Sequence, residues 1–528
     1  MRAAFSRNLN HLAEDPVLRR WLLGRIFGRW RAQSMAWSLP PYLDGVPFNA
    51  NSSANFGSRE LGDARPTSPL EIHLAGFPKT LLPGDEDQLV SYTFQDTESL
   101  LALHRFCWWP HCTAKDTASW VNVVFDSWVR RFGDDTDSWA WHPYTVAERL
   151  VNLIGFAKVH GMPGKQAATL TFLCRHGAAI LSHLEYFGET NTGNHLANNG
   201  RGLFLGGLEL GLDQWADVGG RILIEEGRRI FTSNGLLREG SSHYHLLVTR
   251  WYAECWLTAR KFDRPEAAAL EDITGRALSV CPLFDLPGGL PLIGDISPDC
   301  QPAYLSGLAS GKPLGWLGTL PEGDRRLLGD LTAANLLEHF DENFPEKVAR
   351  DGWIRRDYGP WSMLLHASPG GWSFIPGHGH RDFGSFELHT DGLPLLCDLG
   401  RRSYGPTGDG DVAAAMHNTI IIDENEPSKR NFYGGAIGYF GFDGSVNHAI
   451  VIRSILSKNN IKPIECLNKK LDPNYHQAMM EIEDGQKEPG TIIQEIQKGF
   501  TIKDRLLRPS LVGVSKKSEN KGKKHQKN

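Results

Sequence analysis

Trp361-Ser362-Met363-Leu364-Leu365-His366 is the stretch on which the reading of the fold turns. Upstream of Trp353 apolar residues return every three or four positions, the period of a helix. From Trp353 onward they come in short β-type runs: Trp361–His366, Gly384–His389, Leu393–Asp398 and Asn418–Ile422, each bounded by Gly, Pro, Asn or Asp. Working back from that switch, Asp116–Phe132, Tyr144–His160, Gln166–Phe187, His195–Leu212, Trp215–Thr232, His243–Lys261 and Pro265–Val280 all carry the helical period. Helices of this length joined by short turns make antiparallel neighbours, so the pattern predicts stacked helical hairpins followed by an antiparallel β domain, joined near 345–352. No fixed-period sequence repeat marks a regular solenoid.

Length and composition set the outer limits. The chain has 528 residues, 41% hydrophobic and 22% charged, which excludes a disordered, collagen-like or coiled-coil protein. Its 56 basic and 61 acidic residues leave a formal charge of -5, so no global basic field exists for nucleic acid, and any anionic ligand must be met locally. No run approaches the roughly 20 apolar residues of a membrane-spanning helix. Residues 19–25, Arg-Arg-Trp-Leu-Leu-Gly-Arg, lack the pattern of a secretory signal. The eight cysteines are irregularly spaced in mostly apolar surroundings and read as small core residues; Cys107 and Cys112 with His104 and His111 fit no common zinc-finger spacing.

Beyond residue 445 the composition changes. Residues 1–445 hold 32 Arg and 8 Lys, whereas 446–528 hold 3 Arg and 13 Lys. That inversion points to a fused or frame-shifted segment, with Lys516–Asn528 read as a polar disordered tail. The expected division is therefore an N-terminal extension (1–94) packing on a helical domain (95–345), a β domain (346–445) cut short, and an atypical, partly disordered Lys-rich tail (446–528).

Four segments place His beside Asn, Tyr or Gly at the ends of expected elements, where side chains face clefts. They are Thr192-Gly193-Asn194-His195, Arg238-Glu239-Gly240-Ser241-Ser242-His243-Tyr244-His245, Gly377-His378-Gly379-His380-Arg381-Asp382 and Met416-His417-Asn418-Thr419. His378 and His380, two apart in extended backbone, share a face; with Asp398 and His417 they have the donor chemistry of a zinc site. Each residue also has a plainer reading. Asn194 suits a helix N-cap, Tyr244 a core aromatic, Arg149 a solvated or ion-paired cation, and His378 with His380 an exposed pair.

The order of these segments, with Ser385-Phe386-Glu387-Leu388 and Cys397-Asp398-Leu399-Gly400 between the last two, resembles the heparinase II/III family of polysaccharide lyases over roughly 95–445. The resemblance implies an incomplete (α/α) toroid followed by an antiparallel β-sandwich, here truncated, with the active site between them. It also implies β-elimination on a uronic-acid-containing acidic polysaccharide, with Asn194, His195, Tyr244 and His378 catalytic. Arg149, His245 and Tyr404 would bind substrate, and His380, Asp398 and His417 would hold a structural zinc. Relatives of this kind act in the cell envelope or periplasm; without a readable signal the cytoplasm stays open. Two rivals are a non-catalytic carbohydrate-binding or envelope-assembly protein of the same fold and a toroid-based glycoside hydrolase. The hydrolase needs paired carboxylates, for which Glu239 and Asp295 are available but form no evident pair in sequence.

Overall fold

A computed structural model describes residue 19, residues 38–46 and most of 54–516; the larger stretches outside the description are 1–18, 20–37, 47–53, 112–114, 340–343, 368–376, 402–410, 420–438, 441–445, 448–460 and 517–528. The chain forms two compact units, Met1–Ala436 and Ile437–Asn528.

The first unit opens with a hairpin, β1 (Leu70–Leu74) and β2 (Phe77–Leu81), and then turns helical: α1 (Glu86–Ser91), α2 (Thr97–Arg105), α3 (Lys115–Phe132), α4 (Pro143–His160), α5 (Gln166–Ser182), α6 (Asn194–Leu210), α7 (Asp213–Ile230), α8 (Ser242–Lys261) and α9 (Ala267–Val280). The helical period thus locates α3 to α9 to within a few residues. The exception is the run ending at Phe187, where the helix stops at Ser182 because His183 leaves helical dihedrals. Alternate residues of β1, Leu70, Ile72 and Leu74, are buried and join Trp120, Phe125, Trp128 and Leu173 in one core.

Helices α6 and α7 pack closely because glycines face each other. A Cβ on Gly219 would lie 2.4 Å from the Phe204 amide nitrogen, and one on Gly207 would lie 2.5 Å from that of Ala216. Glycine inside a helix costs about 1 kcal/mol relative to alanine, which close backbone packing here offsets. Six tryptophans serve the interior: Trp109, Trp120, Trp128, Trp215, Trp251 and Trp256 are fully buried.

Four further helices follow, α10 (Pro302–Ser310), α11 (Gly315–Thr319), α12 (Glu322–His339) and α13 (Phe344–Arg350), before the switch to strands. Strands β3 (Trp353–Tyr358), β4 (Trp361–His366), β5 (Ser385–Thr390) and β6 (Leu393–Leu396) form an antiparallel sheet in sequence order. The architecture is an incomplete helical toroid followed by an antiparallel sheet region. The sheet is fastened to the helical half by Trp353 edge-on to Phe284 at 5.2 Å and by Glu387 and His389, which accept from the Leu292 and Gly288 amides. Among the described residues of this unit there is one such sheet, and Leu393, Leu395 and Leu399 at its edge are exposed. The stretch Asn418–Ile422, expected as a strand, lies outside the described residues from Ile420 on; Asn418 and Thr419 are turn and bend.

The second unit holds strands within the Lys-rich segment; of the run Lys516–Asn528 expected to be disordered, 517–528 lie outside the described residues. Strands β7 (Tyr439–Phe440) and β8 (Val446–Asn447) pair, β9 (Ile461–Pro463), β12 (Phe500–Ile502) and β13 (Arg505–Arg508) form one small sheet, and β10 (His476–Glu483), β11 (Ile492–Gln497) and β14 (Ser510–Lys516) form another. It has its own core of Cys466, Ile492, Val512 and Val514. Composition flagged the segment as foreign but did not reveal its strands.

Candidate active site

Three backbone segments cross at the junction of helices and sheet, and glycine makes the crossing possible. Gly240 and Gly294 both have positive φ, +72° and +81°, and a Cβ on Gly294 would meet the carbonyl oxygens of Gly240 and His378 at 2.7 Å. The His378 amide donates to the Glu239 carbonyl at 2.9 Å, and the Asp295 amide to the His378 carbonyl at 2.7 Å. Ser241 caps α8: its Oγ accepts from the Tyr244 amide at 3.0 Å and donates to the Asp295 carbonyl at 2.7 Å.

On this crossing the side chains of Asn194, Tyr244 and His378 come together. Asn194 is the first residue of α6, with Gly193 as its N-cap, so it does not act as the cap itself. Its backbone amide donates to Glu239 Oε1 and its Nδ2 to Glu239 Oε2, both at 2.6 Å, while Nδ2 also lies 3.1 Å from His378 Nε2. The Glu239 carboxylate thereby meets the positive end of the helix dipole. The Tyr244 ring stacks on His378 with centroids 3.4 Å apart and planes 12° apart. His378 Nδ1 meets Asp295 Oδ2 at 3.0 Å.

His195 flanks this group from the other side. Its side chain is about half exposed (49%), its Nδ1 meets Glu185 Oε1 at 2.7 Å, and its ring lies 4.6 Å from that of Tyr144. Burial works against its charge, but the Glu185 carboxylate prevails and raises its pKa above the usual imidazole value. Burial likewise opposes charge on Glu185, yet His195 lowers its pKa. Each partner thus favours the charged form of the other, with the carboxylate buried and the imidazole half exposed.

Three carboxylates that the sequence reading did not place at the site, Glu185, Glu239 and Asp295, thus stand behind three of its polar residues. Asp295 Oδ1 also accepts from His380 Nε2 at 2.8 Å, and these two histidines overcome its burial and bring its pKa down to about 2. Such an acid stays ionised at neutral pH, which removes it as the proton donor a glycoside hydrolase requires.

Two expected substrate contacts are corrected. Arg149 is wholly buried: Nε donates to His176, Nη1 to the carbonyls of His104 and Ala140, and the guanidinium covers Trp128 at 4.4 Å. Burial without a counter-ion brings its pKa down to about 9. His245 faces the core, accepting from the Leu237 amide and lying against Phe284, and burial depresses its pKa to about 3. Tyr404 lies outside the described residues.

His380, Asp398 and His417 share one neighbourhood. The His380 and His417 rings are 5.0 Å apart, and Asp398 Oδ2 meets His417 Nδ1 at 2.8 Å while its Oδ1 accepts from the Gly400 amide. His380 Nδ1 and His417 Nε2 are buried and make no hydrogen bond. Among the described residues no three His, Cys, Asp or Glu side chains already converge as a cage, so the donor chemistry suits zinc whereas the arrangement is that of a hydrogen-bonded cluster.

Comparison with known proteins bears on both units. The family model "Heparinase II/III N-terminus" matches residues 82–268 and "Heparinase II/III-like, C-terminal" matches 346–438, together more than half of the chain. The chain belongs to the heparinase II/III-like family, a family of polysaccharide lyases. Similar solved structures include heparinase III (17% identical, TM-score 0.44, covering 64% of this chain and 57% of that one) and heparan sulfate lyase HepC from Pedobacter heparinus (18%, TM-score 0.35, 64% and 56%). The GrpE family model matches residues 446–516. Protein GrpE of Rhizorhabdus wittichii is 56% identical over 68 residues, 13% of this chain and 38% of that protein; that of Zymomonas mobilis is 57% identical over 63 residues, 12% and 33%. The chain spans about a third of the length of these curated relatives. A model described as chorismate binding enzyme matches 414–465, across the boundary between the two units. No helix of the described residues is long and apolar enough to cross a membrane.

Proposed function

We propose that the first unit is a polysaccharide lyase that cleaves a uronic-acid-containing acidic polysaccharide by β-elimination. The observation that carries this reading is the meeting of Asn194, Tyr244 and His378, which come from positions 50 and 134 residues apart, at a single point between the helices and the sheet. The reaction removes the proton on carbon 5 of the uronate and expels the oxygen on carbon 4. That proton is weakly acidic until the neighbouring carboxylate is neutralised, so donors and positive charge must be aimed at the enolate-like oxygens. Asn194 supplies an amide, and His195, whose pKa the Glu185 carboxylate raises, supplies positive charge when protonated. His378 or Tyr244 takes the proton according to the face attacked, and Tyr244 gives one to the leaving oxygen.

Zinc belongs to this proposal as a structural ion held by His380, Asp398 and His417, because two buried imidazole nitrogens and a buried carboxylate lie beside one another there. When bound it would fix the sheet side of the cleft. Metal analysis of the purified protein tests it, with unchanged zinc in both His380→Ala and His417→Ala counting against the ligand assignment. The GrpE-like segment takes no part in the reading.

The function is tested by incubating the protein with heparan sulfate, alginate, hyaluronan and bacterial capsular polymers while following ultraviolet absorbance of the new double bond. A rise lost in Tyr244→Phe is the expected result; reducing ends without absorbance would indicate hydrolysis, and binding with neither would indicate a non-catalytic scaffold.

A further inference from the structure

Asp295, His378, Asn194 and Glu239 form a chain of hydrogen bonds with a carboxylate at each end. A carboxylate only accepts, so the ends dictate the polarity of everything between them. Glu239 takes two donors from one residue, the backbone amide and the side-chain Nδ2 of Asn194. Turning that carboxamide over would set Oδ1 against Oε2, acceptor against acceptor. One orientation is therefore left, in which one Nδ2 hydrogen points to Glu239 and the other to His378 Nε2, and Nε2 has to present its lone pair. Oδ1 is left buried without a partner, so the amide is held in this sense only through Nδ2, by Glu239 and His378. Glu239 is itself buried (2% exposed), and its carbonyl also receives the His378 amide, which joins the two halves of the site through one residue.

We infer that Glu239 is a positioning residue: it fixes which way the Asn194 carboxamide faces, and so keeps a donor aimed at the place where both His378 and a uronate carboxylate are met. The inference rests on the lyase reading for its consequence in catalysis, but the amide orientation itself is independent of that reading. In Glu239→Gln one of the two acceptor atoms becomes an NH2 group, Asn194 loses one of its two holds, and its amide is free to turn.

The test combines selective 15N-asparagine labelling with kinetics. In the wild type both Nδ2 protons of Asn194 are expected to be protected from solvent exchange, and in Glu239→Gln that protection is lost. Alongside, kcat is expected to fall roughly 100-fold, the scale of one misplaced donor in a charge-stabilising site, with KM within about threefold. Glu239→Asp, which retains the charge, is expected to keep partial protection and recover about tenfold of kcat. It also serves as the reporter should Glu239→Gln fail to fold. Unchanged Asn194 protection in Glu239→Gln, or in Glu239→Asp with kcat as low as that of the amide variant, overturns the inference. A wild type inactive on every polymer would instead overturn the lyase reading, while the protection measurement would still decide the role of Glu239.

Discussion

The Tyr244 phenol ring lies flat on the His378 imidazole, 3.4 Å between centroids, so the helical half and the sheet half of the first unit touch through the two residues best suited to move a proton. Tyr244→Phe preserves that stack and removes the hydroxyl. It is expected to reduce elimination by at least about 100-fold, within the range of a lost acid or base, with thermal unfolding nearly unchanged. Steady-state absorbance assays and a melting curve check both parts, and a large drop in melting temperature would mean the hydroxyl serves mainly the fold.

Ser241 holds the start of α8 and the loop bearing Asp295 with one hydroxyl. Replacing a capping serine by alanine costs about 1 kcal/mol, and here it also unfastens Tyr244 from Asp295. Ser241→Ala is expected to lose about that much in denaturant unfolding and to reduce kcat as well; stability lost with wild-type kcat would show that cap and site are uncoupled.

The His195–Glu185 pair sets a pH window. The raised pKa of His195 means that its stabilisation is full below the unfolded imidazole value near 6.5 and is lost as pH rises through the higher folded midpoint. The lowered pKa of Glu185 means that its share is present above about 4.5 and is lost as pH falls through the folded value. Proton NMR should show His195 titrating above 6.5 in the wild type and lower in Glu185→Gln. KM for an acidic polymer should rise with pH through the same midpoint. A His195 midpoint unaffected by Glu185→Gln would contradict the pairing.

Arg149 separates packing from binding. Its side chain is committed to His176, two carbonyls and the face of Trp128, so Arg149→Ala is expected to destabilise the fold by about 3 kcal/mol or more through lost packing and orphaned acceptors. KM of whatever fraction stays folded should match the wild type. A raised KM without loss of stability would return Arg149 to the cleft.

Much of this was legible in the sequence, for identifiable reasons. Helix positions followed from the three-to-four spacing of residues such as those in Tyr144–His160, and the change of period at Trp353 coincides with Gly352 and the first strand of the sheet. Asn194, Tyr244 and His378 stood out because each lies beside a glycine or cap at the end of an element. Glu185 did not, and Glu239 and Asp295 were legible only as carboxylates available to a hydrolase, since the three have partners 10, 45 and 83 residues away and no spacing encodes such contacts. Arg149 and His245 misled because a polar residue in a motif or helix run looks the same in sequence whether it faces a cleft or a core. The Trp-rich surroundings of Arg149, with Trp128 and Trp141 stacked on its guanidinium, were the available cue.

Cleavage in water enriched in heavy oxygen tests the central claim most directly. Elimination takes no atom from the solvent oxygen, so mass spectrometry should find fragments whose masses sum to that of the parent chain, an unsaturated uronate at the new non-reducing end and no label. Heavy oxygen at a new reducing end, with a saturated sugar opposite, would contradict the account.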